Sequence, residues 1–245
     1  MKKILLVSGY TKFNTDLVYN ILTTINKKNI YIENLYFEKN KKISNFFLKN
    51  KIKSSKISIK KLKKIKKGQY DFLLSVWNKF IFSDDFLKKF KNNMNIHPSY
   101  LPKYRGSNPL INSILNEDKI GFTFHKMNKN IDEGPIFLRK QITIRKPKPA
   151  IELYKTQIKK IYIEFRRTFF KILNGKLKPK IKNKATKLYK LKDFKKYEVT
   201  NLDKDVSARK FFISALAFHF GKKKKIIIYK KKKYYLSINV SYYEK

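Results

Sequence analysis

Three polar side chains with complementary chemistry stand close together in the middle of the chain. Asn95 and His97 belong to Asn95-Ile96-His97-Pro98-Ser99, and Asp132 to Asn130-Ile131-Asp132-Glu133-Gly134-Pro135. An amide N–H can stabilise a developing oxyanion, and an imidazole that titrates near neutrality can donate a hydrogen bond or a proton to the same atom. A carboxylate can hold that imidazole protonated and, directly or through water, take protons from an attacking amine. The set suits acyl-type transfer by direct attack of a substrate, with no covalent enzyme intermediate. There is no cysteine, and the three histidines, at 97, 125 and 219, lack metal-ligand spacing, so no metal is expected. His125 and His219 read as ordinary strand and helix residues.

The elements that must position these groups follow from periodicity. Alternation puts Asn95 and His97 on one side of a strand with Ile96 facing away, and Pro98 stops that strand. Pro102 and Gly106 shape the next loop, and Pro109 opens a helix at a position that suits proline. Residues 121–127 and 136–144 read as a strand pair whose excursion, 128–134, presents Asp132 beside a sheet edge. Upstream, an apolar run at 2–7, a helical pattern through Leu17, Ile21, Leu22 and Ile25, and a strand at 30–37 make a βαβ opening. A buried strand at 70–77 ends on the one tryptophan, Trp77, and Ser83 caps a helix running to Phe90. Ligands collect at the carboxyl ends of strands in open α/β sheets, which makes Trp77 and the backbone after it a candidate wall for a flat ligand. A long helix is expected over 150–173.

The fold class is therefore α/β, an open, mostly parallel twisted sheet with helices on both faces, plus a small C-terminal αββ appendage. The expected domains are a catalytic domain at 1–175, a basic linker at 176–196 without clear period, and a C-terminal unit at 197–245 with a helix and strands at 225–229 and 234–240.

The formal charge is +43, yet only 6 of the 60 basic residues are arginine, the better fork for phosphate. Residues 93–137 carry five cations against four acids, so the excess avoids the motif region. A solvated lysine coat of compositional origin explains it better than a nucleic-acid surface. The densest run, 39–67, holds 13 lysines and no acid, and reads as a mobile loop and then a solvated helix with Ile59, Leu62 and Ile65 on one face. Neither G-x-G-x-x-G nor a Walker sequence occurs, so a dinucleotide or NTP site has no support. No apolar run is long enough to span a bilayer, and a cytoplasmic protein is expected.

The strand end N-x-H-P-S, the following L-P-x-Y-R-G, and the D-E-G-P-I turn resemble the folate-dependent formyltransferase family. That family includes glycinamide ribonucleotide transformylase, methionyl-tRNA formyltransferase and the sugar-nucleotide N-formyltransferases. The resemblance implies that Asn95, His97 and Asp132 are catalytic and that the formyl donor is N10-formyltetrahydrofolate. It implies folate contacts from Val76, Trp77, Phe80 and Phe82 after the fourth strand and from Met127, Asn130 and Ile131 in the catalytic loop. Ser99, Arg105 and Gly106 are candidates for the acceptor side, with Arg105 either orienting an acceptor phosphate or holding its loop. Family loops often read M-D-E-G-I-D-T-G; here Asn128 and Lys129 replace two acids, and Asn130 replaces a glycine, as asparagine tolerates positive φ.

The expected partners are the small-molecule folate and an amine acceptor, with no membrane, and with a homodimer formed through the C-terminal helix and strands. A nucleotide-linked amino sugar is the preferred acceptor, because the short tail resembles that of the sugar enzymes. Charged methionyl-tRNA is the alternative, with the lysines at 39–67 as its contact. A purine-pathway acceptor comes third. A reading from another class is a non-catalytic basic RNA-binding protein on the same scaffold.

Overall fold

The structure, a computed structural model, describes residues 1–9, 14–28, 30–184, 186–220 and 225–237. In chain order the first elements are β1 (Lys3–Ser8), α1 (Thr15–Asn26), β2 (Tyr31–Tyr36), α2 (Lys41–Lys49), β3 (Lys53–Lys56), α3 (Ile59–Lys64), β4 (Phe72–Val76), α4 (Asp84–Leu87) and β5 (Asn92–His97). Then come β6 (Arg105–Gly106), α5 (Pro109–Leu115), β7 (Ile120–His125), β8 (Ile136–Ile142), α6 (Ala150–Leu173) and β9 (Leu188–Tyr189). The chain continues with α7 (Leu191–Lys195), β10 (Val199–Asn201), α8 (Ala208–Phe218), β11 (Lys225–Tyr229) and β12 (Lys232–Leu236). They fall into two compact units: Met1–His97, Thr123–Arg139 and Ile158–Ala185 form the first, and Pro98–Phe122, Lys140–Gln157 and Thr186–Lys245 the second.

The first unit is built on a sheet in the order β3-β2-β1-β4-β5-β7-β8, which β7 and β8 enter through residues 123–125 and 136–139. The pairs from β3 across to β5 are parallel, and β7 runs antiparallel to β5. Ile4, Leu5, Leu6 and Val7 of the central β1 are all fully buried, as a parallel strand covered on both faces requires. Helix α1 buries Leu17, Val18, Ile21, Leu22 and Ile25. Phe165 and Phe169 of α6 stack at 4.5 Å, and Phe169 meets Phe72 of β4 edge-on.

The lysine run at 39–67 is more ordered than a loop and one helix. Asn40 accepts the Ile43 N–H to cap α2, whose Ile43, Phe46 and Phe47 are buried at i, i+3 and i+4 spacing. β3 then pairs with β2, and Lys53 lies 3.4 Å from Glu33, its register partner. In α3, Leu62 is buried and Ile65 follows it inward, but Ile59 is 62% exposed, so the expected three-residue apolar face is two residues. The Ser83-capped helix is also shorter than expected and ends at Leu87.

In the second unit, β6 pairs in parallel with β9, and β10-β11-β12 form a three-stranded sheet. Residues 176–196 are thus not featureless, since β9 and α7 lie within them. The C-terminal appendage gains the extra strand β10, and the 238–240 end of its expected last strand lies outside the described residues. The turn between β11 and β12 puts Lys230 and Lys231 at positive φ, 47° and 58°; the Asp203 carboxylate holds it by accepting both backbone N–H groups.

Candidate active site

Asn93, Asn95 and His97 alternate along one side of β5, and each engages β7 or the loop that follows it. Asn93 accepts the Met127 N–H at 2.6 Å and so pins the start of that loop. The loop neck closes through Lys126 N–H donating to Pro135 O. Gly134 is required at the neck, because a Cβ there would lie 1.6 Å from the Lys126 carbonyl oxygen. The loop then turns through Asp132, whose φ of +53° is in the left-handed region. This corrects one expectation: the residue that takes positive φ is the carboxylate itself and not Asn130, which is exposed and donates to Glu133 at 2.6 Å.

The loop delivers the Asp132 carboxylate to the polar stripe. One oxygen, Oδ2, is 3.4 Å from His97 Nδ1, and the other, Oδ1, accepts from Asn95 Nδ2 at 3.4 Å. The side chains of His97 and Asp132 are 6% and 11% exposed, so their interaction is poorly screened by water. The structure therefore brings together all three groups singled out by their chemistry.

It adds a fourth. His125 is the register partner of Asn95, and its Nε2 lies 3.1 Å from Asn95 Nδ2 and 3.4 Å from Asp132 Oδ1. His125 Nδ1 is 3.0 Å from Lys126 O, a pure acceptor, so this network assigns the ring proton to Nδ1 and leaves Nε2 to accept from the Asn95 amide. His125 thereby fixes which way the amide points. The sequence reading left it without a role, because its place opposite Asn95 appears only once β5 and β7 are in register.

The proposed folate-side residues surround one part of the same unit. Val76 ends β4 fully buried, and Trp77 follows at φ +50°. Gly9 lies under this bend: a Cβ on it would stand 2.2 Å from the Trp77 carbonyl oxygen. Asn78 closes the next turn by accepting the Phe80 N–H and donating to the Phe80 carbonyl. Phe82 is buried in a core cluster with Leu73, Phe86 and Phe90, while Phe80 and Met127 pack on that cluster half-buried. Phe80 and Met127 are thus apolar and partly open, as a flat aromatic ligand requires, and Phe82 backs them. Ile131 is half-buried beside Asp132.

Ser99, Arg105 and Gly106 belong to the second unit. Ser99 is buried and donates to Lys103 O. Arg105 is 5% exposed and donates from Nη1 to Thr186 O at 2.7 Å, which is the loop-holding alternative for that residue. Gly106 has φ +87°, and a Cβ there would meet Tyr189 O at 2.4 Å. Among the described residues there is no cluster of His, Cys, Asp and Glu able to hold a metal, and no helix is long and apolar enough to cross a membrane.

The Formyl transferase family model matches residues 6–162, which include all four polar groups. The chain belongs to the formyl transferase family. Among curated proteins, the GDP-perosamine N-formyltransferase of Brucella melitensis is 33% identical over 107 residues, spanning 43% of this chain and 41% of that protein, so the matched part is less than half of the relative. Among solved structures, a 4-N formyltransferase from Francisella tularensis superposes with a TM-score of 0.82 over 99% of both chains at 24% identity. The N-formyltransferase from Helicobacter canadensis, solved with folinic acid and dTDP-3-aminofucose, gives 0.70 over 92% of this chain and 86% of that one at 21% identity. At these identities the two structures establish the fold, the mostly parallel sheet with a small strand-containing C-terminal region.

Proposed function

We propose that the protein transfers a formyl group from N10-formyltetrahydrofolate to the primary amine of a nucleotide-linked amino sugar. The observation that carries this reading is the convergence of Asn95 and His97 on Asp132, each 3.4 Å from one of its carboxylate oxygens, in a chain of the formyl transferase family. The folate, when bound, supplies the formyl carbon and the N10 leaving group. Asn95 and His97 donate to the carbonyl oxygen as the amine attacks and charge builds on it, Asn95 through the N–H that otherwise reaches Asp132 Oδ1 at the long distance of 3.4 Å. Asp132 faces His97 Nδ1 and stabilises the positive charge on the ring, so Nε2 is the nitrogen that serves the reacting atoms. A C–N bond forms to the amine and the C–N10 bond breaks. The amine loses a proton, taken by Asp132 directly or through water, and N10 gains one. The half-buried faces of Phe80 and Met127, with Trp77 after β4, supply an apolar surface for the pterin.

For the acceptor, support comes from the perosamine enzyme among the curated relatives, and from the Francisella and Helicobacter structures whose names specify 4-N formylation and an aminofucose nucleotide. The test is release of tetrahydrofolate with a panel of amino-sugar nucleotides and charged methionyl-tRNA. Turnover with a sugar nucleotide that His97→Ala loses supports the proposal, turnover with the tRNA alone replaces the acceptor, and salt-sensitive RNA binding without folate binding overturns the enzyme reading.

A further inference from the structure

We infer that Asn183 is a positioning residue for the catalytic carboxylate, an inference that rests on the formyl-transfer reading of the site. Residues 180–183 lie against the start of β8: Lys180 N–H donates to Ile136 O, and Ile136 N–H donates to Ile181 O. This strap carries Asn183 to the catalytic loop, 51 residues away in sequence. There its Nδ2 donates to the Asp132 carbonyl at 2.8 Å and to the Gly134 carbonyl at 3.3 Å. One amide group thus bridges two peptide units on either side of Glu133.

The bridge acts on the most constrained part of the loop. Asp132 holds a left-handed φ that few non-glycine residues adopt, and the direction of its carbonyl is coupled to that backbone state. Fixing both carbonyls fixes the plane from which the carboxylate projects. The carboxylate's contacts with His97 and Asn95 are each 3.4 Å, at the outer edge of hydrogen bonding, so a small rotation of the Asp132 backbone would separate them. The amide orientation follows from the same contacts: if flipped, its oxygen would face two carbonyl oxygens. Asn183 Oδ1 is itself sealed from solvent without a hydrogen-bond partner, and keeping the donor on the two carbonyls therefore leaves an acceptor unsatisfied. Asn183 does not touch the reacting atoms; it acts through Asp132.

The experiment compares Asn183→Leu, which roughly keeps the shape and removes the donor without adding charge, with Asn183→Gln, which keeps the donor. For Asn183→Leu the expected result is a fall in kcat of roughly tenfold, with both KM values within about twofold and a melting temperature lowered by only a few degrees, and Asn183→Gln recovers part of kcat. The chain has only three histidines, so imidazole 15N spectra give a second readout. In Asn183→Leu the His97 and His125 ring signals shift while His219 stays in place. Wild-type kcat, a rise in KM alone, or unmoved His97 and His125 signals would overturn the inference. If the wild-type protein transfers no formyl group, the functional reading fails, and the imidazole spectra still decide whether Asn183 sets the Asp132 carboxylate.

Discussion

Replacing Asp132 by asparagine removes one charge from the site and little else. Asparagine tolerates left-handed φ, so the loop keeps its turn, and the side chain is isosteric. What is lost is the attraction between a carboxylate and a positive imidazole at 3.4 Å. With an effective dielectric constant near 20, a full ion pair at that separation is worth about 5 kcal/mol. If about half of the ring charge develops between ground and transition states, about 2.5 kcal/mol is lost, which is a fall in kcat of roughly a hundredfold. Loss of Asp132 as proton acceptor adds to this. The assay is single-turnover release of tetrahydrofolate with saturating acceptor, beside direct measurement of folate binding. Asp132→Asn should bind folate as the wild type does and release tetrahydrofolate at least roughly a hundredfold more slowly. A rate within about threefold of wild type would refute the role given to the carboxylate.

His125→Phe removes the acceptor that orients the Asn95 amide, and kcat should fall roughly tenfold in the same assay, the worth of about one hydrogen bond. Gly134→Ala forces a Cβ onto the Lys126 carbonyl, so urea unfolding should show a loss of about 2–4 kcal/mol together with loss of activity. Lys225 is buried at 2% exposure, and burial pushes its ammonium down to about pKa 8 from 10.5. Below pH 8 folded and unfolded chains both carry that proton; between pH 8 and 10.5 the unfolded chain holds more of it, so this group makes stability rise with pH across that window. Lys225→Met should lack that rise, so wild-type stability minus variant stability, from unfolding curves measured between pH 7 and 10.5, should climb across the window.

Much of the site was legible because its chemistry follows strand periodicity. Asn95 and His97 are two apart on a strand, and Asp132 lies two residues before a turn glycine, Gly134, so residue type and spacing were enough to place them in one cluster. His125 escaped because its role arises from the register of β5 against β7, which a single chain does not display. Asn183 escaped for a related reason: it sits among lysines without period, and its partners lie in the loop 51 residues before it. The fold was clearest where burial is two-sided, as in β1 and β4, and the α6 boundaries fall at the expected residues, 150 and 173. It was least clear at 39–67, where the lysines hid the Ile43, Phe46 and Phe47 spacing of α2 and a four-residue edge strand, β3, too short to show alternation. Likewise Phe82 gave no sign in sequence that it would back Phe80 from the core, since aromatic residues recur throughout this segment.

The central claim, direct transfer through Asn95, His97 and Asp132, is tested most directly with a donor carrying 13C in the formyl group. In a single turnover with an amino-sugar nucleotide, the label should reach the sugar nitrogen as fast as tetrahydrofolate is released, with none on the protein, and His97→Ala should block both. Label trapped on the protein, or formate released at the same rate with and without acceptor, would contradict it.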